Sequence, residues 1–191
     1  MSTHQTPKLL IQMSGAPGSG KSTIARLLRP SINGVIVDHD ILRSSLIESA
    51  IVPFDQAAKQ AYLLQWSLAH DIMKQGLNVI IDSTCNFQEI LDMGSQLATQ
   101  HDYAYWYVEC KVRDINLLDQ RLRNRKPMAS QRTAVDCPPA AAQSARVDED
   151  SHALFARWIE SPCRPKDHVI AVDSTGDPKT LCDEILAKIV G

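Results

Sequence analysis

The residues most suited to chemistry form a glycine-rich loop that ends in a lysine and two hydroxyl side chains. They are Gly15, Ala16, Pro17, Gly18, Ser19, Gly20, Lys21, Ser22 and Thr23, which satisfy the pattern G-x-x-x-x-G-K-[ST]. Glycine permits positive φ, so successive backbone N–H groups can point inward at phosphate oxygens. Lys21 would then bridge the β- and γ-phosphates of a nucleotide, and the Ser22 hydroxyl would ligate Mg²⁺. The loop predicts a nucleoside triphosphate site, which a kinase, a GTPase, a motor or a switch could use.

A carboxylate and a guanidinium, Asp40 and Arg43, stand three residues apart where the second apolar run gives way to a helical pattern. Residues at this spacing share one face of a helix. A hydroxyl acceptor needs a carboxylate that orients it and takes its proton, so Asp40 is our candidate general base. Arg43 could hold the acceptor or the γ-phosphate with its planar fork. The alternative is that Asp40 caps the helix and Arg43 is a solvated surface charge.

The third apolar run ends in a carboxylate, Asp82, at the carboxyl edge of a predicted strand. In this position Asp82 could hold Mg²⁺ directly or through water, so Ser22 and Asp82 are the candidate metal ligands. The polar residues that follow, Ser83, Thr84 and Asn86, could contact substrate or cap the next helix.

Three arginines, Arg121, Arg123 and Arg125, precede a segment without a regular period, residues 126–147. Arg121 and Arg125 are four apart and share a helical face, whereas Arg123 points elsewhere. We expect the segment to be a mobile lid that brings the two arginines over the triphosphate and excludes water. The alternatives are a flexible surface loop and a basic helix end that complements the helix dipole.

The elements that must position these side chains follow from an alternation of short apolar runs and longer helical patterns. Such alternation predicts an α/β fold with a parallel sheet. We expect strands at 8–13, 35–37, 77–81, 104–108 and 168–172, and helices at 21–29, 40–49, 56–75, 87–100, 113–125 and 178–190. Pro30 is expected to end the first helix. A length of 191 residues predicts a single domain that spans the chain.

Composition excludes several classes of protein. Twenty basic and twenty-two acidic residues give a net charge of −2, which is not the footprint of broad nucleic-acid or membrane adhesion. The five cysteines form no C-x-x-C pair, so neither a disulfide framework nor a zinc site is indicated. The first apolar run is too short for a signal peptide or a membrane span. We therefore expect a cytoplasmic protein.

These residues resemble the small P-loop kinases, which include the 5′-hydroxyl polynucleotide kinase domain of phages, gluconate kinase, the chloramphenicol phosphotransferases and AAA-type ATP-binding proteins. Residues 15–23 resemble their nucleotide loop, residues 40–43 the D-x-x-R acceptor motif and residues 79–86 a strand that ends in D-x-T/S-N. Residues 121–125 are similar to the R-x-x-x-R helix that enters the lid. Residues 172–175 are similar to the loop beside the adenine.

The resemblance implies the P-loop nucleoside triphosphate hydrolase fold, a five-stranded sheet in the order 2-3-1-4-5 with helices on both faces, and Asp40 as general base. It also implies ATP and Mg²⁺ as cofactors. The predicted helix after Asn86 begins without the arginine of many relatives, which disfavours a polyanionic acceptor. We expect a kinase that transfers the γ-phosphate of Mg·ATP to a hydroxyl of a small molecule. A polynucleotide 5′-hydroxyl kinase, or an ATP-dependent switch, is the alternative.

Overall fold

The computed structural model describes residues 8–142 and 150–191. Its strands are β1 (Leu9–Ser14), β2 (Gly34–Asp38), β3 (Asn78–Asp82), β4 (Ala104–Lys111) and β5 (Val169–Asp173). Its helices are α1 (Lys21–Ser31), α2 (His39–Glu48), α3 (Phe54–Lys74), α4 (Gln88–His101), α5 (Ile115–Arg123), α6 (Ser151–Glu160) and α7 (Pro178–Val190), with a 3₁₀ turn at Ala140–Ala142.

The five strands form one parallel sheet in the order β2-β3-β1-β4-β5. Every residue of the central strands β1 and β3 is buried, which explains why both read as nearly continuous apolar runs. The α/β class, the parallel sheet and the strand order expected from the resemblance are confirmed.

Helices cover both faces of the sheet. On one face, α1 and α7 pack on β1 and β4, with Leu28 and Ile185 fully buried. On the other face, α3 and α4 pack around Tyr107 of β4. A third apolar cluster joins α5 and α6 to the glycine-rich loop through Phe155 of α6, Leu118 of α5 and Ala16. This third cluster holds α6 beside the carboxyl ends of the strands.

Several expected helix ends differ from the structure. The first helix does not stop at Pro30: it continues to Ser31, and the N–H of Ile32 closes the last turn on the Leu28 carbonyl at 3.3 Å. Pro30 lacks its own N–H donor, but only Ser31 follows it, so the disturbance is confined to the last turn of the helix. The fifth helix begins after its cap, Asp114, which accepts from the Asn116 N–H, and it ends at Arg123. Arg125 therefore lies beyond the helix.

The segment expected to form a lid is irregular up to residue 139 and packs on its neighbours. The Ser130 hydroxyl lies 2.9 Å from that of Ser44 on α2, and Val135 is buried in the cluster with α5 and α6. The last residues of the expected lid, 143–147, lie outside the described part of the chain. Within the described residues, no helix is long and apolar enough to cross a membrane.

Candidate active site

A cavity of about 1,280 Å³ opens along the carboxyl ends of the strands. Asp38 at the end of β2, Asp82 at the end of β3 and Ser174 after β5 all line it. Open α/β sheets bind ligands at this edge, because the strand ends and the helix N-termini meet there. The same cavity is lined by most of residues 17–24, so the glycine-rich loop forms one of its walls.

The backbone of the loop requires glycine at two positions for different reasons. At Gly15, φ is 131°, and an added Cβ would lie 2.3 Å from the Cys110 carbonyl oxygen. At Gly20, which immediately precedes α1, φ is 92° and the surrounding space is open. Gly20 offers no side chain to cap α1, so the first N–H groups of the helix remain available for an anion. The sequence therefore forms a phosphate cradle at a helix N-terminus.

Lys21 lies across this loop. Its ammonium donates to the carbonyl oxygens of Gly15 at 2.9 Å and Ala16 at 3.2 Å. Burial lowers the pKa of Lys21, while the nearby carboxylates of Asp82 and Asp40 act in the opposite direction. The side chain is thus held among polar groups at the base of the cradle.

Two carboxylates stand side by side at the strand ends, because Asp38 of β2 is the register partner of Asp82 of β3. Burial, together with the charges of Asp82 and Asp40, raises the pKa of Asp38 to about 6. Burial also raises the pKa of Asp82, against the opposing effects of Lys21 and a hydrogen bond with Ser22. A cation placed here would relieve the repulsion between the carboxylates.

The chemistry of these donors fits a magnesium ion. The Ser22 hydroxyl lies close enough to the Asp82 carboxylate to lower its pKa, so a hydroxyl and a buried carboxylate meet at the mouth of the phosphate cradle. Mg²⁺ takes oxygen ligands and needs only one or two from the protein when phosphate oxygens and water supply the rest. No group of three or more metal-ligating His, Cys, Asp or Glu side chains occurs among the described residues.

Asp38 caps α2. Its carboxylate accepts from the N–H groups of Asp40 at 2.9 Å and Ile41 at 3.3 Å. The alternative in which Asp40 is the cap is therefore wrong, and the Asp40 side chain points into the cavity instead. The sequence alone did not distinguish the two carboxylates, because either could begin the helix.

Asp40 is held from across the cavity by Gln131. The Gln131 amide donates from Nε2 to Asp40 Oδ2 at 2.8 Å, while its Oε1 accepts from the Met128 N–H at 3.2 Å. The second contact fixes which end of the amide faces Asp40. The Ser130 hydroxyl also lies 3.2 Å from the Asp40 carbonyl oxygen. We call residues 128–131 the lid turn.

Arg43 and His39 complete this side of the cavity. The Arg43 guanidinium lies 4.9 Å from the centre of the Phe54 ring on α3, which orients it within the cavity wall. The buried His39 ring packs against Tyr62 in a tilted arrangement, with 4.0 Å between ring centres. Burial lowers the pKa of His39 to about 4, so the imidazole is neutral at pH 7.

Of the three clustered arginines, two line the cavity and one does not. Arg121 donates to the carbonyl oxygens of Gly18 at 3.4 Å and Ser174 at 3.0 Å, which places its guanidinium beside the phosphate cradle. Arg125 donates to the Arg132 carbonyl at 3.1 Å, and burial lowers its pKa. Arg123 instead pairs with Asp119 at 2.6 Å, away from the cavity.

One wall of the cavity comes from α6, which sequence analysis missed. Leu154, Arg157, Trp158 and the following Ser161 line this wall. The signal was present: Asp150 precedes apolar residues at 154, 155, 158 and 159, and its side chain caps the helix by accepting from Ala153 at 3.0 Å. The sequence contains no comparable pattern that would predict the contact of Gln131 with Asp40.

The chain beyond α6 turns toward the α3/α4 face of the sheet. The Tyr107 hydroxyl donates to the Cys163 carbonyl at 2.8 Å, and the Arg164 guanidinium holds the buried Glu109 carboxylate through bonds of 2.6 and 2.9 Å. These contacts hold the chain after α6 on the α3/α4 face of the sheet. The cavity thus has a phosphate end and a second end enclosed by α2, α3, the lid turn and α6.

The chain is similar to several known proteins. The model of a family described as "AAA domain" matches residues 10–150. A candidate kinase from Chloroflexus aurantiacus J-10-fl aligns over 97% of each chain, with a TM-score of 0.71 and 18% identity. The Mycobacterium tuberculosis APS kinase CysC, in complex with AMPPNP and APS, aligns over 98% of this chain and 100% of its own, with a TM-score of 0.63 and 16% identity.

A chain of the Pnkp1/Rnl/Hen1 RNA repair complex is more similar in sequence, at 32% identity, but over a shorter stretch. The alignment covers 65% of the present chain and 39% of that chain, with a TM-score of 0.50. Among curated proteins, no relative matches the chain. The structural likenesses at 16–18% identity show a common fold and leave the acceptor open.

Proposed function

The chain belongs to the AAA domain family that matches residues 10–150, and from this premise we propose that it is an ATP-dependent kinase with a small-molecule hydroxyl acceptor. One observation carries the proposal: a single cavity is lined by both the phosphate cradle and Asp40. A nucleotide-binding switch needs the first of these but has no use for a carboxylate held at an acceptor position.

The nucleotide binds with its phosphates in the cradle formed by residues 15–23. Backbone N–H groups at the start of α1 donate to the phosphate oxygens, and the Lys21 ammonium exchanges its carbonyl partners for the β- and γ-phosphates. The APS kinase that shares this fold was solved with AMPPNP, which supports ATP as the donor here. Ser22 and Asp82 would hold Mg²⁺, which supplies charge neutralisation at the phosphate oxygens.

Asp40 orients the acceptor. Gln131 holds its Oδ2, and Oδ1 accepts no hydrogen bond among the described residues, so Oδ1 can accept one from a substrate hydroxyl. The acceptor oxygen forms a bond to the γ-phosphorus as the bond to the β,γ-bridging oxygen breaks. The hydroxyl proton passes to Asp40, and ADP carries away the electron pair of the broken bond. Gln131 is thus a positioning residue, because it acts through Asp40.

Charge that develops on the transferred group is stabilised by cations around the cradle. Lys21 and Arg121 lie beside the loop, and Arg125 and Arg43 line the cavity farther along. Donors that are already oriented stabilise a transition state without reorganisation, and enclosure by the lid turn and α6 excludes water.

A polynucleotide 5′-hydroxyl kinase is the second candidate, favoured by the 32% identity with a chain of an RNA repair complex. Against it, α4 (Gln88–His101) follows the Asp82 loop and contains neither lysine nor arginine. A nucleic-acid backbone requires several cations along its path. The absence of cations from α4 therefore favours a small-molecule acceptor.

The test is a phosphotransfer screen with γ-labelled ATP over small hydroxy compounds, nucleosides and 5′-hydroxyl oligonucleotides, with Lys21→Ala as the matched inactive control. Acceptor-dependent ADP release is expected from wild type and should be lost in the variant. Mg·ATP should also raise thermal stability, by about 2.7 kcal/mol at 100 times its Kd. Absence of any nucleotide-dependent stabilisation would refute nucleotide binding, whereas slow turnover that no acceptor accelerates would favour a switch.

A further inference from the structure

The acceptor end of the cavity contains a cation that the proposed mechanism does not use. Arg157 lies on α6, its side chain is exposed to the cavity, and it has no hydrogen-bond or ion-pair partner in residues 8–142 and 150–191. The other arginines discussed above differ from it, since Arg121 donates to backbone carbonyls and Arg164 pairs with Glu109. A cation at a cavity wall that has no partner among the described residues is available to a ligand.

The position of Arg157 is set by packing. Phe155, on the same helix, is fully buried in the cluster with the glycine-rich loop and α5, and its ring meets that of Trp158 at 5.1 Å in an edge-on arrangement. The contacts of Cys163 and Arg164 hold the chain after α6 on the α3/α4 face. Arg157 therefore lies on a cavity wall whose helix packs on the glycine-rich loop and whose end is held on the α3/α4 face.

The charge of the cavity lining also favours an anionic ligand. Among the described residues, the lining comprises eight cationic side chains and three carboxylates: Lys21, Arg26, Arg43, Arg121, Arg125, Lys126, Arg132 and Arg157 against Asp38, Asp40 and Asp82. A nucleotide whose phosphates are partly neutralised by Mg²⁺ does not balance this excess. Clefts lined by one sign of charge attract ligands of the opposite sign, so a second anion is favoured beside the nucleotide.

We infer that the acceptor is a small anionic hydroxy compound, whose carboxylate or phosphate group is bound by Arg157 next to the Trp158 ring. The identification of this compound as an acceptor rests on the proposed kinase function, but the anion site itself does not. The guanidinium presents a planar fork that matches two oxygens of a carboxylate or a phosphate. Binding there leaves the hydroxyl of the same compound to reach Asp40.

The anion site can be tested by calorimetry on the whole protein with inorganic phosphate and with acetate as probes. Saturating Mg·AMPPNP occupies the phosphate cradle, and constant ionic strength removes differences in screening. Loss of a charge-assisted pair should weaken binding of the bound probe by about 10–100-fold in Arg157→Gln. Arg157→Lys should be intermediate, and Arg29→Gln, an exposed arginine of α1 outside the cavity, should be unchanged. Comparison of the two probes shows whether the site prefers phosphate or carboxylate.

Acceptor use can be tested with pairs of compounds that share a hydroxyl and differ in the anionic group: 4-(hydroxymethyl)benzoate with benzene-1,4-dimethanol, and glycerol phosphate with glycerol. We expect the anionic member of each pair to be the better acceptor because its KM is lower. Arg157→Gln should remove this preference. If no compound is phosphorylated while Arg157-dependent probe binding persists, the kinase function fails and the anion site stands. Equal probe affinity in wild type and Arg157→Gln would overturn the inference, as would Arg157-dependent transfer only to 5′-hydroxyl oligonucleotides.

Discussion

The substitution Asp40→Asn tests the proposed chemistry most directly, because the structure determines how the new side chain will sit. Gln131 presents its Nε2 donor to Asp40, since its Oε1 is held by the Met128 N–H. The asparagine must therefore turn its oxygen toward Gln131 and its NH₂ group toward the acceptor. The variant places a donor where the reaction requires a base.

We expect Asp40→Asn to reduce the rate of phosphoryl transfer strongly and the free energy of unfolding only slightly. General-base catalysis contributes typically about 10²–10⁴-fold, which corresponds to about 3–5 kcal/mol on the barrier. The contact with Gln131 survives as a neutral hydrogen bond instead of a charge-assisted one, a difference of about 1 kcal/mol. The cap of α2 is untouched, because Asp38 supplies it.

The assay combines single-turnover phosphotransfer to the acceptor identified by the screen with Mg·ATP affinity and chemical denaturation. Transfer should fall at least about 100-fold, while nucleotide affinity and unfolding free energy stay near wild type. Asp183→Asn, an exposed carboxylate on α7, is the matched control and should behave as wild type. Near-wild-type transfer by Asp40→Asn would refute the assignment of the base and move the acceptor site elsewhere.

Three further outcomes follow from the same geometry. Asp82→Ala should weaken binding of Mg·ATP more than binding of metal-free ATP, and equal losses would make Asp82 a structural residue instead of a metal ligand. Asp38→Asn keeps the cap of α2 but removes a carboxyl whose pKa is about 6 in the folded protein, above its unfolded value. Because the folded protein holds this proton more tightly than the unfolded chain, the free energy of unfolding of wild type falls as pH rises from about 4 to 6. The variant should therefore gain stability relative to wild type over this range. A difference in denaturation midpoint that stays constant with pH would contradict the prediction. Gln131→Ala should lower kcat about tenfold without changing KM for ATP, whereas an unchanged kcat would mean that the contact only fastens the lid turn.

Much of the fold could be predicted from the sequence because its signals are local. Strands β1 and β3 are buried on both faces and therefore read as apolar runs, while the spacing from Gly15 to Ser22 specifies a phosphate loop through backbone conformation. The same kind of local signal marks α6, whose cap Asp150 and apolar spacing were present but overlooked. The expected end of α1 at Pro30 was wrong because the helix continues for one residue, and the missing N–H of Pro30 disturbs only its last turn.

The arrangement of side chains around Asp40 and on α6 was determined only by the tertiary structure. Asp38 and Asp40 are equivalent as candidates for a cap until the helix start is fixed in space, and Gln131 reaches Asp40 across ninety-one residues of chain. Arg157 faces the cavity because Phe155 anchors its helix against the phosphate loop. Local sequence determines backbone conformation and which face of an element is apolar. It does not determine which distant polar side chains meet, because those contacts depend on how completed elements pack.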